Sequence, residues 1–266
     1  MNYNSIRDIQ KEWDDIAKKA SIIDKLTLRA GTYFSNTTLM LYKRHIIKRL
    51  KPAGNGVWLD VCCGAGTNSI ILASKHSCKI VSFDISIEAL RRGQKIKKYF
   101  GINNIDFINA DVFHLPFRDA IFDGSIATQS FSYYILEEQK TLLQNLSLCL
   151  KQDALFILSD ATKGSSTYHL IEPSTYISLL RDLGFYIIEK EEWGHELYQF
   201  LNKIRSKIVS MMQKKEITSI LIYKFVSLYT SIVFRVTMIE NRFRKKGGFL
   251  FYIIAKKRVK RTMLMV

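Results

Sequence analysis

Apolar and polar positions along this chain follow two periods, one typical of strands and the other typical of helices. Short apolar runs bounded by turn residues predict strands at residues 56–61, 79–83, 105–109, 121–127, 154–158, 186–190 and 249–255. Apolar residues that recur every three or four positions predict helices at residues 6–20, 37–50, 68–75, 87–100, 136–150 and 174–183. Strands and helices therefore alternate through most of the chain.

This alternation predicts an α/β fold, in which mostly parallel strands are joined by right-handed crossovers and helices cover both faces of the sheet. The prolines Pro52, Pro116 and Pro173 all fall between the predicted elements, where a missing backbone N–H does no harm. We divide the chain into a helical N-terminal cap (1–50), an α/β core (51–194), a basic helical insertion that forms a substrate lid (195–247) and a last core strand with a basic tail (248–266).

The insertion contains the most apolar stretch of the chain, residues 217–239. Its apolar residues share one predicted helical face, which consists of Ile217, Leu221, Phe225, Leu228, Ile232, Val236 and Ile239. Such a stripe is expected to be covered by another part of the protein. Lys224 and Arg235 interrupt the stretch, so no charge-free run approaches the roughly 20 residues of a membrane span and we predict no transmembrane helix.

Positive charge is concentrated near the C-terminus. The chain holds 40 Lys and Arg against 24 Asp and Glu, a formal net charge of +16, and beyond Asn202 the only acids are Glu216 and Glu240. Such a skew can attract phosphates, nucleic acid or an anionic membrane surface. This charge distribution indicates which partners the protein could attract, but it does not determine the fold.

Composition and cysteine spacing indicate a globular cytoplasmic protein without a metal centre. The apolar share of 47% and the charged share of 24% are ordinary for soluble domains. The first ten residues are too polar for a signal peptide, which predicts a cytoplasmic location. Cys62 and Cys63 are adjacent and no C-x-x-C spacing occurs, so we expect reduced thiols and no metal site.

A glycine-rich turn after the first predicted strand carries the strongest chemical indication. In L-D-V-C-C-G-A-G-T, residues 59–67, the strand ends in an acid and the turn opens a helix. Gly64 and Gly66 allow the backbone to approach a ligand closely, and the helix N-terminus offers N–H groups to an anionic group. A nicotinamide dinucleotide fits less well, because Ser69 stands where its third glycine belongs and Asp60 would repel a pyrophosphate.

Two further acids follow the next predicted strands. Asp84 lies 20 residues after Gly64, which is the distance at which an acid meets ribose hydroxyls in Rossmann-like sites. Asp111 follows the third strand in the run N-A-D-V. Each acid also has a structural interpretation, since Asp84 and Ser86 could cap the next helix and Asp111 could stabilise a turn.

Together these segments resemble the motifs of class I S-adenosylmethionine-dependent methyltransferases, which implies a Rossmann-like, seven-stranded, mostly parallel sheet. The resemblance spans about residues 50–190 and the last strand, and Cys62 replaces the first glycine of the family's L-D-x-G-x-G-x-G. The cofactor-binding residues that it implies are Asp60, Cys62, Gly64 and Gly66 for the methionine half, Asp84 for the ribose, Ile85, Asp111 and Val112 for the adenine, and Thr128 and Gln129 beside the reacting methyl group.

The resemblance also implies an in-line displacement, in which an O, N or C atom takes the methyl group and S-adenosylhomocysteine is released. Alignment of the reactants supplies much of the catalysis in such reactions. Tyr133 and His169 are the candidate catalytic residues, and Tyr134 and Asp160 fall in the same predicted region. A helical insertion before the last strand resembles enzymes that act on small molecules, so we expect a small acceptor of anionic or amphiphilic character.

Three other functions remain open. The basic clusters 242–246 and 256–261 are compatible with an RNA or tRNA methyltransferase, although no recognisable RNA-binding module is attached and nucleic acid is not favoured. A basic amphipathic helix at 217–239 would suit an enzyme that contacts the membrane surface and methylates a lipid or isoprenoid. The third alternative is a partner protein that binds the cofactor without turnover.

Overall fold

The structure is a computed structural model that describes part of the chain. The described residues are 6–18, 37–50, 52, 55–162, 169–194, 196–197, 199–201, 203–204, 207, 211, 220–243, 248 and 250–258. Parts of the predicted cap, insertion and basic tail lie outside these residues, and so does Ile217 of the predicted stripe.

The described elements correspond to the strands and helices that the sequence predicts. The strands are β1 (Val57–Val61), β2 (Lys79–Asp84), β3 (Ile105–Asn109), β4 (Phe122–Thr128), β5 (Leu150–Ala161), β6 (Phe185–Trp193) and β7 (Leu250–Lys257). The helices are α1 (Ile6–Lys18), α2 (Thr37–Ile47), α3 (Thr67–Ala73), α4 (Ile87–Tyr99), α5 (Leu136–Cys149), α6 (Pro173–Asp182) and α7 (Ile220–Phe243), with a 3-10 turn at Phe131–Tyr133. The residues described between 196 and 211 are also helical.

The strands form one seven-stranded sheet in the order β3-β2-β1-β4-β5-β7-β6. Strands β1 to β5 run parallel to one another, whereas β7 is antiparallel to both β5 and β6. This topology confirms the Rossmann-like, mostly parallel sheet with helices on both faces. The strand order reverses beside β1, so the carboxyl ends of β1, β2 and β4 meet at the point where open α/β sheets bind ligands.

Two apolar cores lie on opposite faces of the sheet. On one face, α5 and α6 pack against β4, β5 and β7. On the other face, α2, α3 and α7 contribute Tyr42, Ile71 and Val233 to a core around Trp58 of β1. Trp58 leaves no room for a side chain on the neighbouring strand, because a Cβ at Gly124 would lie 2.6 Å from its ring.

Strand β5 begins four residues earlier than the sequence predicts. The sequence prediction left residues 151–153 as a connection between helix and strand, but they belong to β5, because Leu150 already pairs with Phe122 of β4. Lys257 Nζ donates a hydrogen bond to the carbonyl oxygen of Leu150 at 2.7 Å, and Asp153 is accommodated with a positive φ of 63°. Contacts with β4 and β7 therefore extend a segment whose local sequence is typical of a turn.

A polar network fixes the C-terminal end of α2 against β6 and β7. Arg49 Nε lies 3.1 Å from Glu189 Oε1, and its Nη2 lies 3.5 Å from Glu191 Oε2. The Tyr252 hydroxyl is within hydrogen-bond distance of both carboxylates. Burial by itself raises the pKa of Glu191, but hydrogen bonds from neighbouring side chains outweigh it and lower that pKa to about 2. Glu191 is therefore ionised at neutral pH, and the network orients the helix that carries Lys43.

Helix α7 packs through the face opposite to the predicted stripe. Val233 and Thr237 are 0% exposed, whereas Leu228, Ile232 and Ile239 of the stripe are 61%, 50% and 57% exposed. The expectation that the protein covers this stripe is therefore wrong for these three residues. Periodicity could not choose between the two faces, because both carry apolar side chains. Among the described residues, no helix combines the length and apolar character needed to cross a membrane.

Candidate active site

The loop between β1 and α3 contains three residues in the left-handed conformation. Cys62, Gly64 and Gly66 have φ angles of 49°, 55° and 76°, so Cys62 adopts the conformation that favours glycine at its position. The Cys63 amide donates to the carbonyl oxygen of Phe83 at 2.9 Å and ties the loop to β2. A Cβ at Gly64 would meet no atom within 4 Å. The loop therefore borders open space at Gly64.

Asp60 at the end of β1 fixes the first turn of α3. Its Oδ2 accepts hydrogen bonds from Ser69 N at 3.1 Å and Ser69 Oγ at 2.5 Å, and its Oδ1 accepts one from Asn68 Nδ2 at 3.0 Å. Asn68 Nδ2 also donates to Thr128 Oγ1 at 3.0 Å. Burial raises the pKa of Asp60, while these hydrogen bonds and the charge of Lys43 oppose the rise. Asp60 and Thr128 thus hold the glycine-rich loop in shape.

Asp84 at the end of β2 is directed at the same loop. Its Oδ2 accepts a hydrogen bond from Gly64 N at 2.7 Å, and its Oδ1 accepts one from Ser86 N at 2.9 Å. Burial raises the pKa of Asp84, and the charges of Asp60 and Asp14 add to the rise against these two hydrogen bonds. A carboxylate offers about four acceptor positions. Asp84 can therefore hold the loop and still accept hydrogen bonds from two ligand hydroxyls.

Helix α1 covers this end of the sheet. The Trp13 ring packs edge-on against Tyr133, with ring centroids 5.8 Å apart. Asp14 Oδ1 accepts hydrogen bonds from Ser86 Oγ at 2.5 Å and from Glu88 N at 3.2 Å, at the N-terminus of α4. The contacts on both sides place α1 across the carboxyl ends of β2 and β4.

Asp111 forms the turn that follows β3. Its Oδ1 accepts a hydrogen bond from Phe113 N at 2.9 Å, and its Oδ2 lies 2.8 Å from His114 Nδ1. The Val112 side chain is 3% exposed and belongs to the apolar core. Asp111 therefore stabilises a turn, as its structural interpretation predicts. Its carboxylate has further acceptor positions, and adenine recognition stays a prediction.

Asn109 fixes the turn on which Ile85 lies. Its Nδ2 donates to the carbonyl oxygens of Asp84 and Ile85 at 3.0 Å and 2.9 Å. Ile85 is half-buried, so part of its side chain is available to a flat ligand ring. Asn109 was given no role from the sequence, although it begins the run N-A-D-V that contains Asp111.

Unpaired polar atoms lie where β4 ends. Gln129 has a φ of 59°, and its backbone N–H donates a hydrogen bond to the carbonyl oxygen of Ser159 at 2.7 Å. Gln129 Nε2 and Ser130 Oγ are buried and have no hydrogen-bond partner among the described residues. Because buried polar groups are normally paired, these two atoms are candidates for contact with a ligand.

Asp160 positions the loop that follows β4. Its carboxylate accepts hydrogen bonds from Phe131 N and Ser132 N at 3.0 Å each and from Ser132 Oγ at 2.9 Å. A further hydrogen bond comes from Ala161 N at 2.8 Å. Burial raises the pKa of Asp160, and these hydrogen bonds oppose the rise. With four donors on its carboxylate, Asp160 holds the loop rather than removing a proton from a substrate.

Gln139 joins this loop to the segment that follows β5. It is 0% exposed, and its Nε2 donates to the carbonyl oxygens of Tyr134 and His169 at 2.6 Å and 2.9 Å. The Tyr176 hydroxyl donates to Gln139 Oε1 at 2.6 Å. Gln139 was not singled out from the sequence. It could have been recognised as a polar residue on the leucine-rich, buried face of α5.

The candidate catalytic residues differ in their surroundings. Tyr134 is 6% exposed, and its pKa is raised by burial and by acidic groups that include Asp84 and Asp111. Tyr134 is therefore a wall of the site. Tyr133 is half-buried under α1, and the His169 side chain is exposed. A catalytic role for Tyr133 and His169 stays a prediction.

Lys43 of α2 is a second residue that the sequence analysis missed. Lys43 is half-buried, and burial lowers the pKa of its amine while the charges of nearby Asp60 and Cys63 oppose the change. Lys43, Ile46 and Ile47 share the spacing of one helical face, and both isoleucines are 1% exposed. A lysine on an inward face was the sign that could have revealed it.

The sequence of this chain is similar to those of known methyltransferases. A family model described as a methyltransferase domain matches residues 53–222. The sarcosine/dimethylglycine N-methyltransferase of Halorhodospira halochloris is 26% identical over 165 residues, 56% of this chain and 58% of that protein. The demethylmenaquinone methyltransferase of Staphylococcus saprophyticus is 25% identical over 158 residues, 56% of this chain and 66% of that protein. The chain spans less than two thirds of either relative.

A solved structure shares the fold. Phosphoethanolamine N-methyltransferase 2 of Haemonchus contortus, in complex with S-adenosyl-L-methionine, superposes with a TM-score of 0.61 at 15% identity. The match covers 91% of this chain and 61% of that chain. At this identity the likeness concerns the fold alone.

Proposed function

The chain belongs to the family of class I S-adenosylmethionine-dependent methyltransferases, and from this membership we propose that it transfers the methyl group of S-adenosylmethionine to a small organic molecule. The loop after β1 carries the proposal. Its left-handed turn is bonded through Gly64 to Asp84 and borders open space where the strand order reverses. This arrangement suits a nucleoside whose sugar and amino-acid ends bind on opposite sides of one loop.

The residues around the loop fit the polar groups of the cofactor. Asp84 has acceptor positions for two ribose hydroxyls. Lys43 lies near Asp60, where its amine would pair with the methionine carboxylate. Ile85 would pack on the adenine ring. Bound S-adenosylmethionine would supply a methyl group on a positively charged sulfur.

The chain's own contribution to the reaction is alignment. Asp160 and Gln139 hold residues 131–134, so Gln129 and Ser130 can present their unpaired polar atoms to an acceptor. Positioning of this kind can by itself lower a barrier by roughly 7–11 kcal/mol. Because Asp160 is fully engaged, an acceptor that must lose a proton would pass it to another group, for which Tyr133 and His169 remain the candidates.

The position of α1 over the site favours a small methyl acceptor. Trp13 and Asp14 contact both sides of the site, which restricts access for a folded RNA. The two named relatives act, by their names, on sarcosine or dimethylglycine and on demethylmenaquinone. All of these acceptors are small molecules.

Replacing Lys43 by Met should weaken binding of S-adenosylhomocysteine about tenfold or more, because a charge-assisted hydrogen bond of about 1.5–3 kcal/mol is removed. Met keeps most of the packing of the lysine stem. The thermal midpoint without ligand should change little, because the loss of the desolvated amine offsets the loss of its attraction to Asp60. Isothermal titration calorimetry measures the affinity, with the exposed Lys48→Met as the control. Parental affinity in Lys43→Met would contradict this assignment.

Incubation with tritium-labelled S-adenosylmethionine tests the activity itself. A cell extract is divided into a small-molecule fraction and an RNA fraction, and each is offered to the protein. We expect label in the small-molecule fraction, and much less label with Asp84→Ala at a cofactor concentration that does not saturate the variant. Label in RNA alone would support the RNA methyltransferase. Tight binding of S-adenosylhomocysteine without transfer to either fraction would support the non-enzymatic alternative.

A further inference from the structure

Helix α7 has an apolar face on each side. Its inner face packs on the sheet through Val233 and Thr237, which are 0% exposed. We call the opposite side the outer face of α7, defined by Leu228, Ile232, Arg235, Ile239 and Phe243. At roughly 100° per residue these five positions fall within an arc of roughly 80°. They form one straight stripe along about 22 Å of helix.

The outer face is exposed along its whole described length. Leu228, Ile232, Ile239 and Phe243 are 61%, 50%, 57% and 83% exposed, and Arg235 is exposed among them. Large apolar side chains that cluster on a surface usually mark a binding site, whereas scattered ones do not.

The neighbouring helical residues between 196 and 211 repeat this pattern. Their exposed apolar side chains are Leu197, Phe200, Ile204 and Met211, at 44%, 60%, 37% and 60%. The segment lies beside α7, because Leu197 N donates to Glu240 Oε1 at 3.1 Å and the Tyr229 hydroxyl donates to the carbonyl oxygen of Leu201 at 3.1 Å. Two adjacent helical segments therefore both present large apolar side chains to solvent.

The charge of this part of the chain is strongly positive. Residues 203–266 hold 16 of the 40 Lys and Arg and only 2 of the 24 Asp and Glu, so they account for +14 of the net charge of +16. Lys203 and Lys207 are exposed on the 196–211 segment, and Arg235 is exposed on the outer face of α7. Lys and Arg can bury their apolar stems while the charged ends reach phosphate groups.

We propose that the outer face of α7 and the 196–211 segment dock the protein on an anionic lipid bilayer. An amphipathic surface helix binds through apolar side chains that enter the boundary of headgroups and acyl chains, together with basic residues that contact anionic lipid. Both components are present here. A nucleic-acid surface would require the positive charge but not the row of Leu, Ile and Phe side chains. The proposal is independent of the methyl acceptor.

Vesicle co-sedimentation tests the proposal on the full chain. Vesicles of equal parts phosphatidylcholine and phosphatidylglycerol are compared with vesicles of phosphatidylcholine alone. We expect binding to the anionic vesicles at least roughly tenfold tighter than to the neutral ones. The double variant Ile232→Glu/Ile239→Glu should weaken binding to the anionic vesicles at least roughly tenfold.

The control variant makes the same charge change elsewhere. Phe100 and Leu148 are 54% and 56% exposed, so Phe100→Glu/Leu148→Glu adds two negative charges and removes a similar apolar area. This control should change vesicle binding less than about twofold, a loss attributable to net charge alone. Thermal denaturation and titration with S-adenosylhomocysteine establish that both double variants are folded, whether or not methyl transfer is detected.

Several results would overturn the proposal. Equal losses in the two double variants would show that net charge alone drives binding. No binding to anionic vesicles would exclude the membrane surface. Binding of tRNA in its place, with a steep dependence on salt, would assign the basic surface to nucleic acid. A concentration-dependent dimer that Ile232→Glu/Ile239→Glu dissociates, without vesicle binding, would assign the face to a second copy of the chain.

Discussion

Replacement of Asp84 by Ala is expected to lower the affinity for S-adenosylhomocysteine by roughly a hundredfold. In the proposed site the carboxylate would accept two ribose hydroxyls, and a hydrogen bond to a charged group contributes about 1.5–3 kcal/mol. The variant also loses the bonds from Asp84 to Gly64 N and Ser86 N, at 2.7 Å and 2.9 Å. Isothermal titration calorimetry at neutral pH gives the two dissociation constants.

A matched variant separates ligand contact from general damage. Asp106→Ala removes an exposed carboxylate on the adjacent strand β3, where it forms a surface ion pair with Lys79 at 3.1 Å. Its effect on affinity should be negligible, because exposed ion pairs contribute little. If Asp84→Ala bound S-adenosylhomocysteine as tightly as the parent does, the proposed ribose site would be wrong.

The same carboxylate predicts how affinity depends on pH. Burial raises the pKa of Asp84 above its ordinary value of 3.8. A protonated Asp84 accepts fewer hydrogen bonds, so affinity should be full above the raised pKa and fall as the pH decreases through it. Asp84→Asn, which has no charge to lose, should bind more weakly at neutral pH and lack this dependence. Affinities measured at several acidic pH values, on protein shown to be folded, test the difference.

Substitution of Gly66 by Ala is expected to lower the free energy of unfolding by about 3 kcal/mol. Its φ of 76° is left-handed, which costs a residue with a Cβ about 1–2 kcal/mol. The new Cβ would lie 2.6 Å from the Phe107 ring, and overpacking of this kind costs about 1–3 kcal/mol. The ring cannot retreat easily, because a Cβ at Gly93 would also lie 2.7 Å from it. Urea denaturation measures the loss.

Gly64→Ala is the matched substitution on the same loop. Gly64 is also left-handed, with a φ of 55°, but its Cβ would meet no atom within 4 Å. The expected loss of stability is therefore only about 1–2 kcal/mol. Because the added methyl group projects into the space assigned to the cofactor, affinity for S-adenosylhomocysteine should fall more than stability does. Normal affinity in Gly64→Ala would show that this space does not hold the cofactor.

The parts of the candidate site whose local geometry agrees with the sequence prediction depend on short-range sequence. The turn at residues 62–66 is determined by its glycines, and even Cys62 adopts the positive φ of the position. Asp84 was placed from its distance to Gly64, and the structure joins the two by a hydrogen bond. Strand and helix positions followed from periodicity, because each element buries one face or one stripe.

The residues that were missed act through contacts between distant segments. Lys43 precedes Asp60 by 17 residues, and Gln139 contacts His169 after 30 residues. Neither residue lies in a local motif. Asp160 was considered as a base, but its four hydrogen bonds from residues 131, 132 and 161 make it a positioning group. A side chain's partners depend on which elements are neighbours in the sheet, and periodicity does not contain that information.

By itself the sequence determined the alternation of strands and helices, the glycine-rich loop, the acid at Asp84 and the concentration of positive charge near the C-terminus. These are properties of single residues or of neighbours in the chain. Only the tertiary structure decided that Lys43 faces Asp60, that β5 starts at Leu150 and that α7 turns its predicted stripe to solvent. The orientation of α7 depends on which of its two apolar faces excludes more apolar area from water. The other two features depend on which strands and helices become neighbours, and that is determined only once the whole chain is packed.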